Sequence, residues 1–357
     1  MTEKRTGLIW QTIKRSVSQS RASRVSHLAF AILAALTIFW QTANAADLPV
    51  VVFGGAGSGF GRTPPTRPDF GELFASPSKW PIGLAATKVF ELDNAYVDHA
   101  PLADVRRIVE FLNRHHITIA LHAAGVKVGA DGCGRGIESY HWSPQGNAGT
   151  LRRLKALGAN VEYLAFDEPM TFGNQTIQVP LAEGGHQKAC RYSPEEIAIM
   201  DAEVAKDSFD YYPEIKISDS EAINGALFNT AGWVSAMKQW LSAFRNHAGR
   251  PIDVVMLDIN KNTDWHAQAV AMAKAVQASG VKVGYYINGN LLHLSSNEEW
   301  TKAAVESYKE YERIIPIKPY MIEVSAWNRL PSRFLPETSP DTVTYVLMQY
   351  VKDHATP

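Results

Sequence analysis

Cysteine is scarce in this sequence: among 357 residues only Cys133 and Cys190 occur. Two thiols cannot build a disulfide scaffold or a zinc ribbon. An excess of basic charge is also missing, since 35 Lys and Arg face 36 Asp and Glu. The stretch from Met1 to Ala45 holds Lys4, Arg5, Lys14, Arg15, Arg21 and Arg24 against Glu3 alone, so setting it aside leaves 29 basic against 35 acidic residues. That acidic remainder repels polyanions and argues against nucleic acid as a partner. No apolar run reaches the ~20 residues that a membrane-spanning helix needs. Glycine-rich motifs of Walker type are absent, and Gly54-Gly55-Ala56-Gly57-Ser58-Gly59, although it follows a strand-like run, leads into no helical pattern. Nucleotide binding is therefore set aside and no cofactor is implied. A chain that is 46% hydrophobic and only 20% charged is not disordered either.

What is present begins with an address. A basic stretch up to Arg24 precedes the uncharged run from Leu28 to Trp40, and Ala43-Asn44-Ala45 supplies the small-x-small pattern read by signal peptidase. The expectation is a signal peptide over residues 1–45, cleavage before Ala46, and export to the periplasm or the medium. A retained anchor is the alternative. Residues 46–357 are then one soluble domain in a compartment that permits oxidation of a cysteine pair.

From Pro49 onward, short apolar runs alternate with amphipathic helical patterns, the signature of repeated βα units. Eight runs can be read: Val50 to Phe53, Lys88 to Leu92, Ile117 to His122, Val161 to Asp167, Glu214 to Asp219, Ile252 to Asp258, Val281 to Asn288, and Pro319 to Ser325. Ser193-Pro194-Glu195-Glu196 is a helix start with a cap, a proline in the first turn and acids behind it. Gly158, Gly249 and Gly280 fall where helices should stop. Only the first unit lacks a clean helix, because the stretch from Gly57 to Pro81 is rich in Gly and Pro. These eight units predict a single-domain α/β fold, a closed (β/α)8 TIM barrel with long loops at the C-terminal face of its strands. An open doubly wound sheet is the alternative.

Alternation along the strands sorts inward from outward side chains. It points His122, Tyr286 and Asn288 inward, and places Glu323 with Met321 and Ser325, opposite Tyr320, Ile322 and Val324. Acids gather at five strand ends: Glu91 and Asp93, Asp167 and Glu168, Asp219 and Glu221, Asp258, and Glu323. A single acid there is commonly a helix cap. Acids from five strand ends converging on one mouth cost stability unless they are protonated, paired or used.

The fourth run ends Phe166-Asp167-Glu168-Pro169, and this resembles the fourth-strand Asn-Glu-Pro motif of the large (β/α)8 clan of retaining glycoside hydrolases. The resemblance implies that Glu168 is the acid/base. Asp167 stands where the clan has asparagine, and Asn288 ends the seventh run where the clan has its nucleophile glutamate. Met256-Leu257-Asp258 and Trp327 resemble features of chitinase-like barrels. Glycosidic cleavage needs two carboxyl groups flanking one bond, one protonated and one ionised. Glu323 and Asp258 are the candidate partners of Glu168, with Glu91, Asp93, His122, Asp167, Asp219 and Asn288 as groups for sugar hydroxyls. Tyr140, Trp142, Phe172, Trp265, Tyr286 and Trp327 fall at or after strand ends, where ring faces could stack on pyranoses. The expected partner is thus a carbohydrate, a polysaccharide or an oligosaccharide. Two rivals remain at this stage: a metal hydrolase using His122, Asp167, Asp219 and Asp258, and a carbohydrate-binding barrel without catalysis. Cys133 and Cys190 follow the third and fourth runs, which are neighbours in a barrel, so a disulfide pinning two loops beside the cleft is expected.

Overall fold

The computed structural model describes residues 48–54, 67–123, 146–174, 179–180, 186–187, 191–225, 229–289, 293–327 and 329–354. The segment 1–45, Cys133, Tyr140, Trp142 and Cys190 lie outside the described residues. The chain divides into two units, Met1–Leu48 with His354–Pro357, and Pro49–Asp353, and the second holds the barrel.

Eight parallel strands close on themselves: β1 (Val50–Gly54), β2 (Val89–Asp93), β3 (Thr118–Ala123), β4 (Val161–Asp167), β5 (Lys216–Ile223), β6 (Val254–Ile259), β7 (Lys282–Ile287) and β8 (Met321–Ser325). Each pairs with its neighbours in sequence, and β8 returns to β1 with Val50 opposite Met321 and Val52 opposite Glu323. This is the expected (β/α)8 barrel, and an open sheet is excluded. Around it the described residues form eleven helices: α1 (Glu72–Ala75), α2 (Pro81–Ala86), α3 (Asn94–His99), α4 (Leu102–Arg114), α5 (Gly146–Ala156), α6 (Pro169–Gly173), α7 (Pro194–Phe209), α8 (Thr230–Ala248), α9 (His266–Ala278), α10 (Asn297–Ile314) and α11 (Val343–His354). Ser193 starts α7 with a full capping box, its hydroxyl accepting from Glu196 N while its own amide donates to the Glu196 carboxylate.

Packing follows the alternation. The lumen is filled by Val52, Val89, Ala120, Tyr163, Val254, Met256, Tyr286 and Met321. Tyr320 does not face outward as its parity suggested: it packs against this lumen cluster, hydrogen-bonded to Tyr163 and with Lys282 over its ring. It stands at the N-terminal rim of β8, its amide donating to Val283 O and its carbonyl accepting from Val50 N. Where no long helix was expected, the first unit instead buries aromatic rings. Phe53 packs on Trp80, Phe90 and Phe334, and Phe74 on Phe90 and Phe111, at centroid distances of 5.3 to 6.0 Å. Each such side chain contributes about 1.5–3 kcal/mol by burial.

The seam between the last and first strands is also stitched by polar groups. Asp69 accepts from Phe334 N and Leu335 N at 2.8 and 2.9 Å. The buried Glu337 accepts from Ile82 N and Gly83 N in the first turn of α2 at 3.1 and 2.9 Å. Arg67 donates from Nε to Pro331 O at 2.7 Å.

Candidate active site

The C-terminal strand ends bring Glu91 (β2), His122 (β3), Asp167 (β4), Asp258 (β6) and Glu323 (β8) to one mouth, with Tyr286 (β7) among the acids and Asn288 just beyond it. His122 links two of them: Nδ1 lies 3.4 Å from Glu91 Oε1 and Nε2 lies 3.3 Å from Asp167 Oδ2. Burial alone pulls the imidazole pKa down. The charges of Asp167 and Glu91 and their hydrogen bonds outweigh it and hold His122 well above its usual value. The setting therefore favours the protonated imidazole of His122 between the side chains of Glu91 and Asp167.

Glu323 is only 3% exposed and shares hydrogen bonds with Glu91 and Ser325. Burial, then the charge of Glu91, raises its carboxyl well above the usual range, while His122 and Ser325 act the other way. Its space exists because β1 ends in glycine. A Cβ on Gly54 would stand 2.0 Å from Glu323 Oε1 and 2.7 Å from Ser325 Oγ. Tyr286 stays a neutral phenol, raised by burial and then by Glu323, Glu91, Asp167 and Asp258. Trp327 meets its ring edge to face at 5.9 Å. Below the acids, the small side chains of Ala120, Ala165, Ser218 and Ser220 leave a cavity against Tyr163, Met256 and Met321.

Asp258 occupies a different environment. Burial and the charge of Asp167 push its carboxyl up to about 7, offset in part by Asn288, whose amide donates to Oδ1 at 3.4 Å, and by Lys261. Lys261 escaped the sequence reading. Its ammonium donates to the carbonyls of Asn288 at 2.7 Å and Ala303 at 3.3 Å, and burial lowers its pKa to about 8. One lysine in a polar loop has no pattern that would single it out.

Glu168 is half-buried at the end of β4 and adopts a left-handed backbone, φ 49° and ψ 43°. Its amide donates to Ser220 O at 2.9 Å, and Pro169 opens α6 immediately behind it. The left-handed turn breaks the strand alternation, which would otherwise assign Glu168 to the outer face next to Asp167's inward position.

Two expected site residues lie elsewhere, and a third, Asp93, stands in register with His122 but is engaged in a helix cap. Asp219 is fully buried on the outer face of β5, in register with Phe166, which packs on Phe244 of α8, while its neighbours Ser218 and Ser220 line the cavity. It sits behind the sheet with Asp201 and Glu221, which excludes it from a ligand set with His122, Asp167 and Asp258. Asp93 caps α3, accepting from Ala95 N at 2.7 Å. Trp265 is 4% exposed and packs edge-on against Tyr311 at 5.3 Å, a core contact between α9 and α10. Among the described residues no group of three or more His, Cys, Asp or Glu side chains is arranged to hold a metal ion, and no helix is long and apolar enough to cross a membrane.

No family model matches the sequence, and no curated protein matches it. Solved barrel structures are similar in fold. A glycoside hydrolase family 10 endoxylanase from a sugarcane soil metagenome aligns with a TM-score of 0.48 at 11% identity, over 87% of this chain and 98% of that one. An intracellular xylanase from Thermoanaerobacterium saccharolyticum gives a TM-score of 0.43 at 12% identity, over 82% and 88%. An HpcH/HpaI aldolase from Desulfitobacterium hafniense gives 0.35 at 13%, over 77% and 85%. The likeness is one of barrel architecture, common to hydrolases and an aldolase, and fixes no reaction.

Proposed function

We propose that this chain is a glycoside hydrolase acting on an oligosaccharide or polysaccharide, with Glu168 at the end of β4 and Asp258 at the end of β6 as its carboxyl pair. The observation that carries the reading is the unequal environment of the mouth acids. Asp258 is raised to about 7, so it holds a proton near neutrality and takes the acid role that the resemblance gave to Glu168, while Asp167, the chain neighbour of Glu168, faces His122 and leaves Glu168 as the second carboxyl of the pair. Glycosidic cleavage requires such a protonated and ionised couple. Glu323, bonded to Glu91 and Ser325 in the wall, is assigned to holding substrate, with Glu91, Tyr286, Asn288 and Trp327. Export by the segment 1–45 would place the enzyme where polymeric carbohydrate is met.

The test is hydrolysis of a panel of polysaccharides and 4-nitrophenyl glycosides by wild type, Glu168→Gln and Asp258→Asn. Turnover should fall by about 100-fold or more in each variant, with folding intact. In wild type, kcat/KM should fall on the alkaline side around pH 7 as Asp258 loses its proton. Unchanged rates in both variants overturn the proposal. Sugar binding without turnover by wild type assigns the barrel to carbohydrate binding instead.

A further inference from the structure

Behind the mouth, residues 168–171 are tied to residues 220–222 of β5 by a compact set of hydrogen bonds. The Glu221 carboxylate, 0% exposed, accepts from Met170 N at 2.6 Å, Thr171 N at 2.9 Å and Thr171 Oγ1 at 2.6 Å. Thr171 Oγ1 in turn accepts from Ala222 N at 3.2 Å, and Glu168 N donates to Ser220 O at 2.9 Å. Three donors converge on the two oxygens; burial still raises this carboxyl to about 8, with the bonds from Thr171 and Met170 acting the other way, and an amide in its place would set an N–H against a backbone N–H.

These bonds surround the most strained backbone position near the mouth. Glu168 has a positive φ, uncommon for any residue with a Cβ, and it precedes proline, which disfavours helical backbone at that position on either side. Such a conformation persists only where the surroundings over-determine it. We propose that Glu221 is a positioning residue for the active site: its clamp on the first turn of α6 forces Glu168 into the left-handed turn and so sets where that carboxyl stands. The catalytic value of the clamp rests on the reading of Glu168 as a reacting group. The clamp itself does not.

The test separates the two. Urea unfolding of wild type, Glu168→Gly, Glu221→Gln and the double variant forms a mutant cycle that needs no substrate. In the wild-type background, glycine relieves the strain and should raise the folding equilibrium constant about fivefold or more. In the Glu221→Gln background the turn is free to relax and that gain should vanish. Equal gains in both backgrounds overturn the proposal. If Glu221→Gln does not fold, Thr171→Val, which removes one donor and keeps the shape, replaces it in the same cycle with the same criterion. On 4-nitrophenyl glycosides, Glu221→Gln should lower kcat by about tenfold or more with KM little changed. Loss of the strain coupling with no change in kcat would keep the clamp and overturn its role in positioning. If wild type turns over none of these probes, the hydrolase reading falls while the mutant cycle still decides the clamp.

Discussion

Replacing Asp258 by asparagine should abolish turnover and at the same time stabilise the fold, by an amount that depends on pH in a calculable way. The carboxyl moves from an ordinary value of 3.8 to about 7 on folding. Below pH 4 it is protonated in both states and costs nothing. Between pH 4 and 7 the unfolded chain releases this proton and the folded chain keeps it, so wild type loses stability as pH rises, at about 1.4 kcal/mol per pH unit. The loss reaches about 4 kcal/mol near pH 7, and about 2–4 kcal/mol if Asp167 shares the titration. Asparagine keeps the shape and can still accept from Asn288, but it has no proton to lose. The stability of Asp258→Asn minus that of wild type should therefore grow by this amount between pH 4 and 7. Urea unfolding followed by tryptophan fluorescence measures it, and stopping at pH 7 keeps Lys261, at about 8, mostly charged. A difference that stays flat across this range would refute the reasoning.

Gly54→Ala should destabilise by about 1–3 kcal/mol, because its new methyl group would overlap the Glu323 carboxyl and, less severely, Ser325; adding Glu323→Ala should recover part of that loss, the overlap with Ser325 remaining, and a double variant no more stable than Gly54→Ala alone would show that the cause lies elsewhere. His122→Gln should destabilise by about 3 kcal/mol near pH 6 by leaving Glu91 and Asp167 without their shared cation. Because the folded histidine titrates above its ordinary 6.5, its contribution is complete below that value and is lost as pH rises through the raised one. The gap between variant and wild type, read from thermal unfolding, should narrow toward alkaline pH, and a gap that widens instead would contradict the assignment.

The barrel was legible because each strand is a short β-branched or apolar run fenced by turn residues, and alternation within it carried Glu323, Tyr286, Asn288 and His122 to the mouth. Asp219 went astray through a boundary. The apolar run stops at that residue, whereas β5 continues to Ile223, and its inward face is made by two unremarkable serines. Trp265 and Asp93 sit at strand ends in sequence but are claimed by the helices that follow, one through packing and one through a cap. The clamp on α6 joins residues about fifty positions apart through backbone amides, and a side chain that binds backbone leaves no mark in the residue types it binds.

The stitched seam has a consequence for how the chain can come apart. Asp69 and the amides of Phe334 and Leu335 are separated by 265 and 266 positions, and β1 has β8 as one of its two neighbours. A nascent or truncated chain that stops before Met321 leaves β1 and β7 as open edges, with backbone donors and acceptors ready to pair with another chain. Closure is thus a late event that depends on the last stretch of sequence, and a protease that removed this stretch would turn a sealed ring into a sheet prone to self-association.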